Sequence, residues 1–238
     1  VTVSCVSDSS VKRQRHENDS RASLTQEASW SNERQLMIDR QIRGRSVKDP
    51  RVIAAMRAAP RHRFVPSELQ KDAYADTPLP IGFDQTISQP YIVAYMTEAL
   101  QLPSDATVLE VGTGSGYQAA VLAELAAHVY SIEIVPELAK RSTHLLNELS
   151  YDNIDVRMGD GYVGWPEAAP FDGIIVTAAP DHVPPALITQ LAVGARLVIP
   201  VGRLVQEIRV VTKTTDGSIS ETTIPVRFVP MTGEAQLH

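Results

Sequence analysis

Apolar positions change period along the chain, and the changes divide it into elements. Leu36, Ile38, Ile42 and Val47, then Val52, Ile53 and Met56, recur at near-helical spacing interrupted at RGRSVKDP by Gly44 and Pro50, which predicts two short helices. Asp49 is placed to cap the second, with Pro50 at its first position. In DTPLPIGFDQTISQP, Pro78, Pro80, Gly82 and Pro90 exclude a long regular element. Ile81, Phe83 and Ile87 nevertheless need cover, so this stretch reads as an ordered loop or hairpin. YIVAYMTEALQL then reads as a helix with Val93, Met96 and Leu100 on one face. From TVLEVG onward, short apolar strands alternate with amphipathic helices through ARLVIPV, the pattern of a parallel sheet with right-handed crossovers and helices on both faces. EIRVVTKT and ISETTIPVRFV carry no helix between them, and the Asp216-Gly217 turn makes them an antiparallel pair. The expected fold is a doubly wound, mostly parallel α/β sheet with an antiparallel C-terminal strand pair and a small N-terminal helical segment.

The first 30 residues are Ser-rich, with four acidic and four basic side chains and no sustained periodicity. Residues 1–31 are therefore expected to form a flexible extension and 32–238 the folded domain. The basic cluster Lys12, Arg13 and Arg15 lies among acids and reads as solvated. At 238 residues, 43% hydrophobic and 21% charged, the chain is long enough for one large domain. It has no apolar run long enough for a membrane helix. A net charge of −6 provides no field for a polyanion, so no nucleic-acid partner is expected. The single cysteine, Cys5, excludes an internal disulfide framework or a multi-cysteine zinc site and fits a reducing compartment. The opening residues lack the segments of a secretory signal, and a start at Val1 implies a missing or removed beginning. The expectation is a cytoplasmic protein, monomeric, without a metal.

Candidate chemistry sits at EVGTGSG. Gly112, Gly114 and Gly116 follow the first core strand and lead into a helix, where a ligand can rest against the main chain. Glu133 ends the next strand, 21 residues beyond Gly112, where a carboxylate can accept from both ribose hydroxyls. The spacing departs from the dinucleotide G-x-G-x-x-G, whose sixth position is here Tyr117. Glu110, just before the glycines, would repel a pyrophosphate but suit a cationic amino-acid moiety, which favours S-adenosylmethionine over a nicotinamide cofactor; Glu110 reads equally as a plain strand end. Met158 and Asp160-Gly161 follow the third core strand, in reach of an adenine ring.

With these residues in place, the sequence resembles the protein-L-isoaspartate (D-aspartate) O-methyltransferases. LPIGFDQTISQPYIVAYMTEAL, VLEVGTGSGYQAAVLAEL, GDGYVGWPEAAPFDGIIVTAA and LVIPVG match that family's segments in order, and the likeness runs from about Asn32 to Thr232. The resemblance implies a Rossmann-like class I methyltransferase that methylates the α-carboxyl of L-isoaspartyl residues in damaged proteins and peptides, with S-adenosyl-L-homocysteine as product. The ester then cyclises to a succinimide and hydrolysis returns part of it to aspartate. By the same resemblance Ser88 is the active-site serine, and Gln85, Thr86, Ile87, Ser88, Val93, Glu110, Glu133, Asp160, Gly161 and Thr232 match cofactor-contacting positions; Gly112, Gly114 and Met158 are expected to join them from their places after the core strands.

The acceptor carboxylate is ionised at neutral pH, so the site needs positioning rather than a strong base. Ser88 can donate one hydrogen bond to it, or it can cap the helix after Pro90; both roles remain open at this point. Neither His62 nor His182 is read as a catalytic relay, and a hydrolase would need the G-x-S-x-G elbow. LPIGF and TAAPDHVPP, with the small Ala178 and Ala179, are the candidate peptide-binding segments. A methyltransferase for a small metabolite or RNA, and a non-catalytic sensor of the cofactor, are the competing readings.

Overall fold

The computed structural model describes residues 25–236; Cys5 and the Lys12, Arg13 and Arg15 cluster lie outside them. Helix α1, residues 25–37, runs on into a π-turn, Ile38–Ile42. It is followed by α2, Pro50–Ala58, capped at Arg51 N by the Asp49 side chain with Pro50 in the first turn. Both expected helices are present, but the first begins earlier than expected. Residues 25–31 were assigned to the flexible extension and are helical instead. Trp30 stacks on the buried His62 at 5.0 Å between ring centroids, and that apolar contact supplies the order which local polarity does not signal.

Hairpin β1, Leu79–Gly82, and β2, Gln85–Ile87, pairs Leu79 with Ile87. Its two turn residues, Phe83 and Asp84, both take positive φ, 55° and 56°, the twist a two-residue hairpin requires. Ile81 and Ile87 are covered as expected, whereas Phe83 sits at the tip and is 52% exposed. Pro90–Leu100 forms α3.

The main sheet comprises β3 Thr107–Val111, β4 His128–Glu133, β5 Ile154–Met158, β6 Phe171–Val176, β7 Leu191–Val201, β8 Gln206–Thr214 and β9 Gly217–Val226, ordered β5-β4-β3-β6-β7-β8-β9. β5 to β7 are parallel through β4, β3 and β6, and β8 is antiparallel to both β7 and β9. Helices α4 Tyr117–Ala123, α5 Pro136–Glu148 and α6 Pro185–Gln190 make crossovers. From β3 the chain winds outward to β4 and β5, then returns to β6 on the other side of β3. The carboxyl ends of β3 and β6 are therefore the switch point, where an open α/β sheet forms its crevice. Alternation along β3 feeds two cores: Val108 packs into the cluster with α1 to α4, and Leu109 and Val111 into the one beneath α6.

Candidate active site

At the switch point, Gly112, Gly114 and Gly116 take φ of 99°, 53° and 88°, the left-handed region that favours glycine. The Gly112 amide donates to Ile132 O at 2.8 Å, tying the loop to the end of β4. From β6, the Thr177 hydroxyl donates to Gly112 O at 2.6 Å, and a Cβ on Gly112 would collide with that oxygen. A cavity opens beside this loop. Glu133, 5% exposed, forms part of its wall; its carboxylate accepts from the Gly114 amide at 2.7 Å and the Val135 amide at 2.9 Å.

Of the residues singled out in the sequence, Gln85, Thr86, Gly112, Gly114, Glu133, Gly161 and Thr232 line this cavity. Ile87, Ser88 and Val93 line a smaller recess on the other side of Thr86, Gly112 and Gly114. Ser88 is not the helix cap: that position belongs to Gln89, whose side chain makes no capping bond and donates to Asp76 instead. The Ser88 hydroxyl makes no hydrogen bond among the described residues, so it is free to donate. His62 is bound to Tyr74 Oη at 2.9 Å, and His182 lies between Tyr162 Oη at 2.8 Å and Asp181 at 2.6 Å. Neither lines a cavity with Ser88.

Three more of the expected residues stand off the lining of this cavity. Glu110 does not border the cavity; it shares the face of β3 that carries Val108 and is buried at 0% exposure, as the two-residue period demands. Its Oε2 accepts from Ser131, whose hydroxyl meets that of Thr113, and its Oε1 has no partner. Burial pushes the Glu110 carboxyl up to about 8, with the Ser131 hydrogen bond opposing and the Glu133 charge adding. Met158 is 62% exposed at the end of β5, away from the cavity lining. The Asp160 carboxylate accepts from the amides of Tyr162 at 2.9 Å and Glu234 at 2.7 Å, a clasp on the turn Gly233–Gln236.

Thr177 and Ala178, at the end of β6, belong to the segment expected to bind peptide, whereas several lining residues carry no sequence signal: Ile134 and Val135 follow Glu133, and Val229–Met231 come from beyond the last strand. That last stretch is held by Ala179 N to Val229 O at 2.8 Å and Met231 N to Ala179 O at 2.9 Å. Beyond Thr86 and Thr177 a larger groove of about 450 Å³ is lined by Tyr91 and Ile92, by residues 224–229 and by Ser88. Thr86 and Thr177 border the cavity, the recess and the groove alike.

The two larger spaces differ in charge. Among the described residues Glu133 is the only ionisable side chain lining the loop cavity, whereas the charged side chains of the groove are Arg45 and Arg227. Arg45 lies over the Tyr91 ring at 3.7 Å and pairs with Asp76 at 2.9 Å. Arg227 has no ion pair among the described residues. A carboxylate with no cation lining the same cavity among the described residues suits a ligand bearing positive charge and does not suit a pyrophosphate.

A glycine turn at the switch point, that carboxylate, and a sheet ending in antiparallel strands define a Rossmann-like methyltransferase domain. The family model described as protein-L-isoaspartate(D-aspartate) O-methyltransferase (PCMT) matches residues 32–236, and the chain belongs to that family. It is 58% identical over 200 residues to a protein-L-isoaspartate O-methyltransferase of Gloeobacter violaceus, covering 83% of this chain and 98% of that one. To one of Picosynechococcus it is 57% identical over 202 residues, covering 85% and 91%. Among solved structures, a putative protein-L-isoaspartate O-methyltransferase of Plasmodium falciparum in complex with S-adenosyl-L-homocysteine superposes with a TM-score of 0.73 at 25% identity, covering 84% of this chain and 97% of that one.

Proposed function

We propose that this protein transfers a methyl group from S-adenosylmethionine to the free α-carboxylate of L-isoaspartyl residues in damaged polypeptides, the first step of their return to aspartate. The observation that carries the reading is the division of charge across Thr86 and Thr177: a loop cavity with one carboxylate on one side, and on the other a groove lined by Arg227, which has no ion pair among the described residues, and by Arg45, which is paired with Asp76. A sulfonium donor and a carboxylate acceptor call for that pairing of fields. Membership of the family supports the acceptor chemistry.

In this reading Glu133 holds the ribose hydroxyls while its ties to the Gly114 and Val135 amides keep the loop and the carboxylate in fixed relation. Gly112, Gly114 and Gly161 let the ligand lie against the main chain; a Cβ at Gly161 would run into Val111. The bound cofactor supplies an electrophilic methyl group on a sulfonium. The protein's part is to orient the acceptor and exclude water. Ser88 donates its free hydroxyl to one carboxylate oxygen, so that the other faces the cavity. Thr177, committed to Gly112 O, fixes the wall between the two spaces. Since the acceptor is ionised at neutral pH, no residue has to remove a proton, and alignment supplies most of the rate.

The same reading starts the catalytic domain at α1 rather than at residue 32. It takes the acceptor as polypeptide rather than nucleic acid, on the strength of the net charge of −6. The lone cysteine supports a reducing compartment such as the cytoplasm. Among the described residues no helix is long and apolar enough to cross a membrane. The test is transfer of labelled methyl to an isoaspartyl peptide and to its normal aspartyl counterpart. Labelling of the first alone is expected; equal labelling, or none, refutes the reading.

A further inference from the structure

Arg61 belongs to the 3₁₀ turn Arg61–Phe64 and is buried at 0% exposure. Its Nε donates to Ala73 O at 2.7 Å and its Nη2 to Ser88 O at 2.7 Å, while Nη1 has no partner. The guanidinium lies 4.8 Å from the centroid of the Tyr117 ring, the first residue of α4 after the glycine turn. No carboxylate is paired with it among the described residues. Burial lowers its pKa to about 10, which leaves it charged at neutral pH.

A buried cation without a counterion is costly to keep, and an apolar side chain of similar volume would fill the same space more cheaply. What an apolar residue could not do is donate in two directions while standing on an aromatic face. Those contacts join three segments. The Ala73 carbonyl ends the turn before the β1–β2 hairpin. The Ser88 carbonyl belongs to the residue whose hydroxyl is free at the groove. Tyr117 and Ser88 line the same small recess beside Gly112 and Gly114. Gln89 and Pro90 follow Ser88 at once, and Ser88 itself has no side-chain tie among the described residues. The Arg61 bond to its carbonyl is thus a direct restraint on the peptide plane at Ser88, and through it on the direction of the hydroxyl.

We propose that Arg61 is a positioning residue for methyl transfer: it fixes the Ser88 hydroxyl by holding the Ser88 carbonyl and locks the serine loop to the first turn of α4. The inference rests on the reading of Ser88 as the donor to the acceptor carboxylate. It adds a second consequence, that a fixed positive charge stands behind the loop where that carboxylate docks.

The experiment is a double-mutant cycle of Ser88→Ala and Arg61→Lys, with Arg61→Gln as a second variant. Turnover and KM for an isoaspartyl peptide are normalised to the sites that bind S-adenosylhomocysteine by calorimetry, so that misfolded protein is not counted. Arg61→Lys is expected to lower kcat by about tenfold to a hundredfold, the scale of sub-ångström misplacement, with product affinity unchanged within about twofold. In the Ser88→Ala background the Arg61 substitution should add no more than about twofold, because residues acting as one unit are non-additive. Full turnover per binding site in both Arg61 variants overturns the proposal, as does a double variant whose loss is the product of the single losses. Failure of both Arg61 variants to bind S-adenosylhomocysteine assigns the residue to folding and overturns it as well. Full activity of Ser88→Ala alone strikes at the reading of Ser88, and the single-variant arm identifies that case.

Discussion

Glu110→Gln probes the carboxyl buried beneath the glycine loop. In the folded protein this group keeps its proton up to about pH 8, against an ordinary value of 4.5. Below about 4.5 both folded and unfolded chains are protonated there, and the stabilising difference is fully present. As pH rises past that value the unfolded chain ionises and is favoured, while the folded chain does not. Stability is therefore lost progressively until about pH 8, where the folded form ionises too. The slope over that window is about 1.4 kcal/mol per pH unit, so from pH 5 to pH 8 this one group removes at most about 4 kcal/mol. Gln cannot titrate and lacks the dependence. Urea unfolding of the two proteins at pH 5, 6, 7 and 8, analysed by linear extrapolation, should give a wild-type minus variant difference that falls steadily with pH. Parallel profiles for the two proteins would refute the buried neutral carboxyl.

Glu133→Ala removes the ribose acceptor and frees the Gly114 and Val135 amides, and calorimetry should show S-adenosylhomocysteine affinity weakened by about ten- to a hundredfold; unchanged affinity contradicts the assignment. Arg227→Glu should raise KM for an isoaspartyl peptide by about tenfold with kcat less affected, and added salt should blunt the wild-type advantage, since the groove's free cation acts on an exposed anion; a salt-independent KM argues against it. Trp30→Ala, which deletes the stack on His62, should lower the thermal midpoint by the equivalent of about 1–3 kcal/mol; an unchanged midpoint would mean that the N-terminal half of α1 contributes nothing to the domain.

The alternation of strand and helix, the glycine turn, Glu133 and the hairpin before α3 were legible because each rests on local chemistry. Period, positive φ and strand-end position can all be read within ten residues. Glu110 is placed by strand alternation: it stands two residues before Gly112, yet one residue of offset from Val111 turns its side chain to the opposite face of β3, where it meets Ser131. Met158 ends a strand at the sheet's outer edge, and its register opposite Glu133 brings the backbones together without bringing its side chain into the cavity. Thr177 and residues 229–231 are walls only because β6 pairs with β3 and the last segment bridges to Ala179; no spacing announces contacts between residues 66 positions apart, such as Thr177 with Val111. The N-terminal half of α1 is ordered by Trp30 on His62, a contact between segments that hydropathy alone leaves silent. Ser88 was ambiguous for a related reason. A serine two residues ahead of a proline reads as a cap, and only the position of Gln89 and the facing recess separate the two roles.

The stretch from residue 224 to 232 is one uninterrupted run of backbone that forms the outer wall of the groove and then the roof of the loop cavity. In the proposed reading a nucleoside and a peptide lean on the same strip, and whatever either one does to the affinity of the other must, by thermodynamic reciprocity, be matched in the reverse direction.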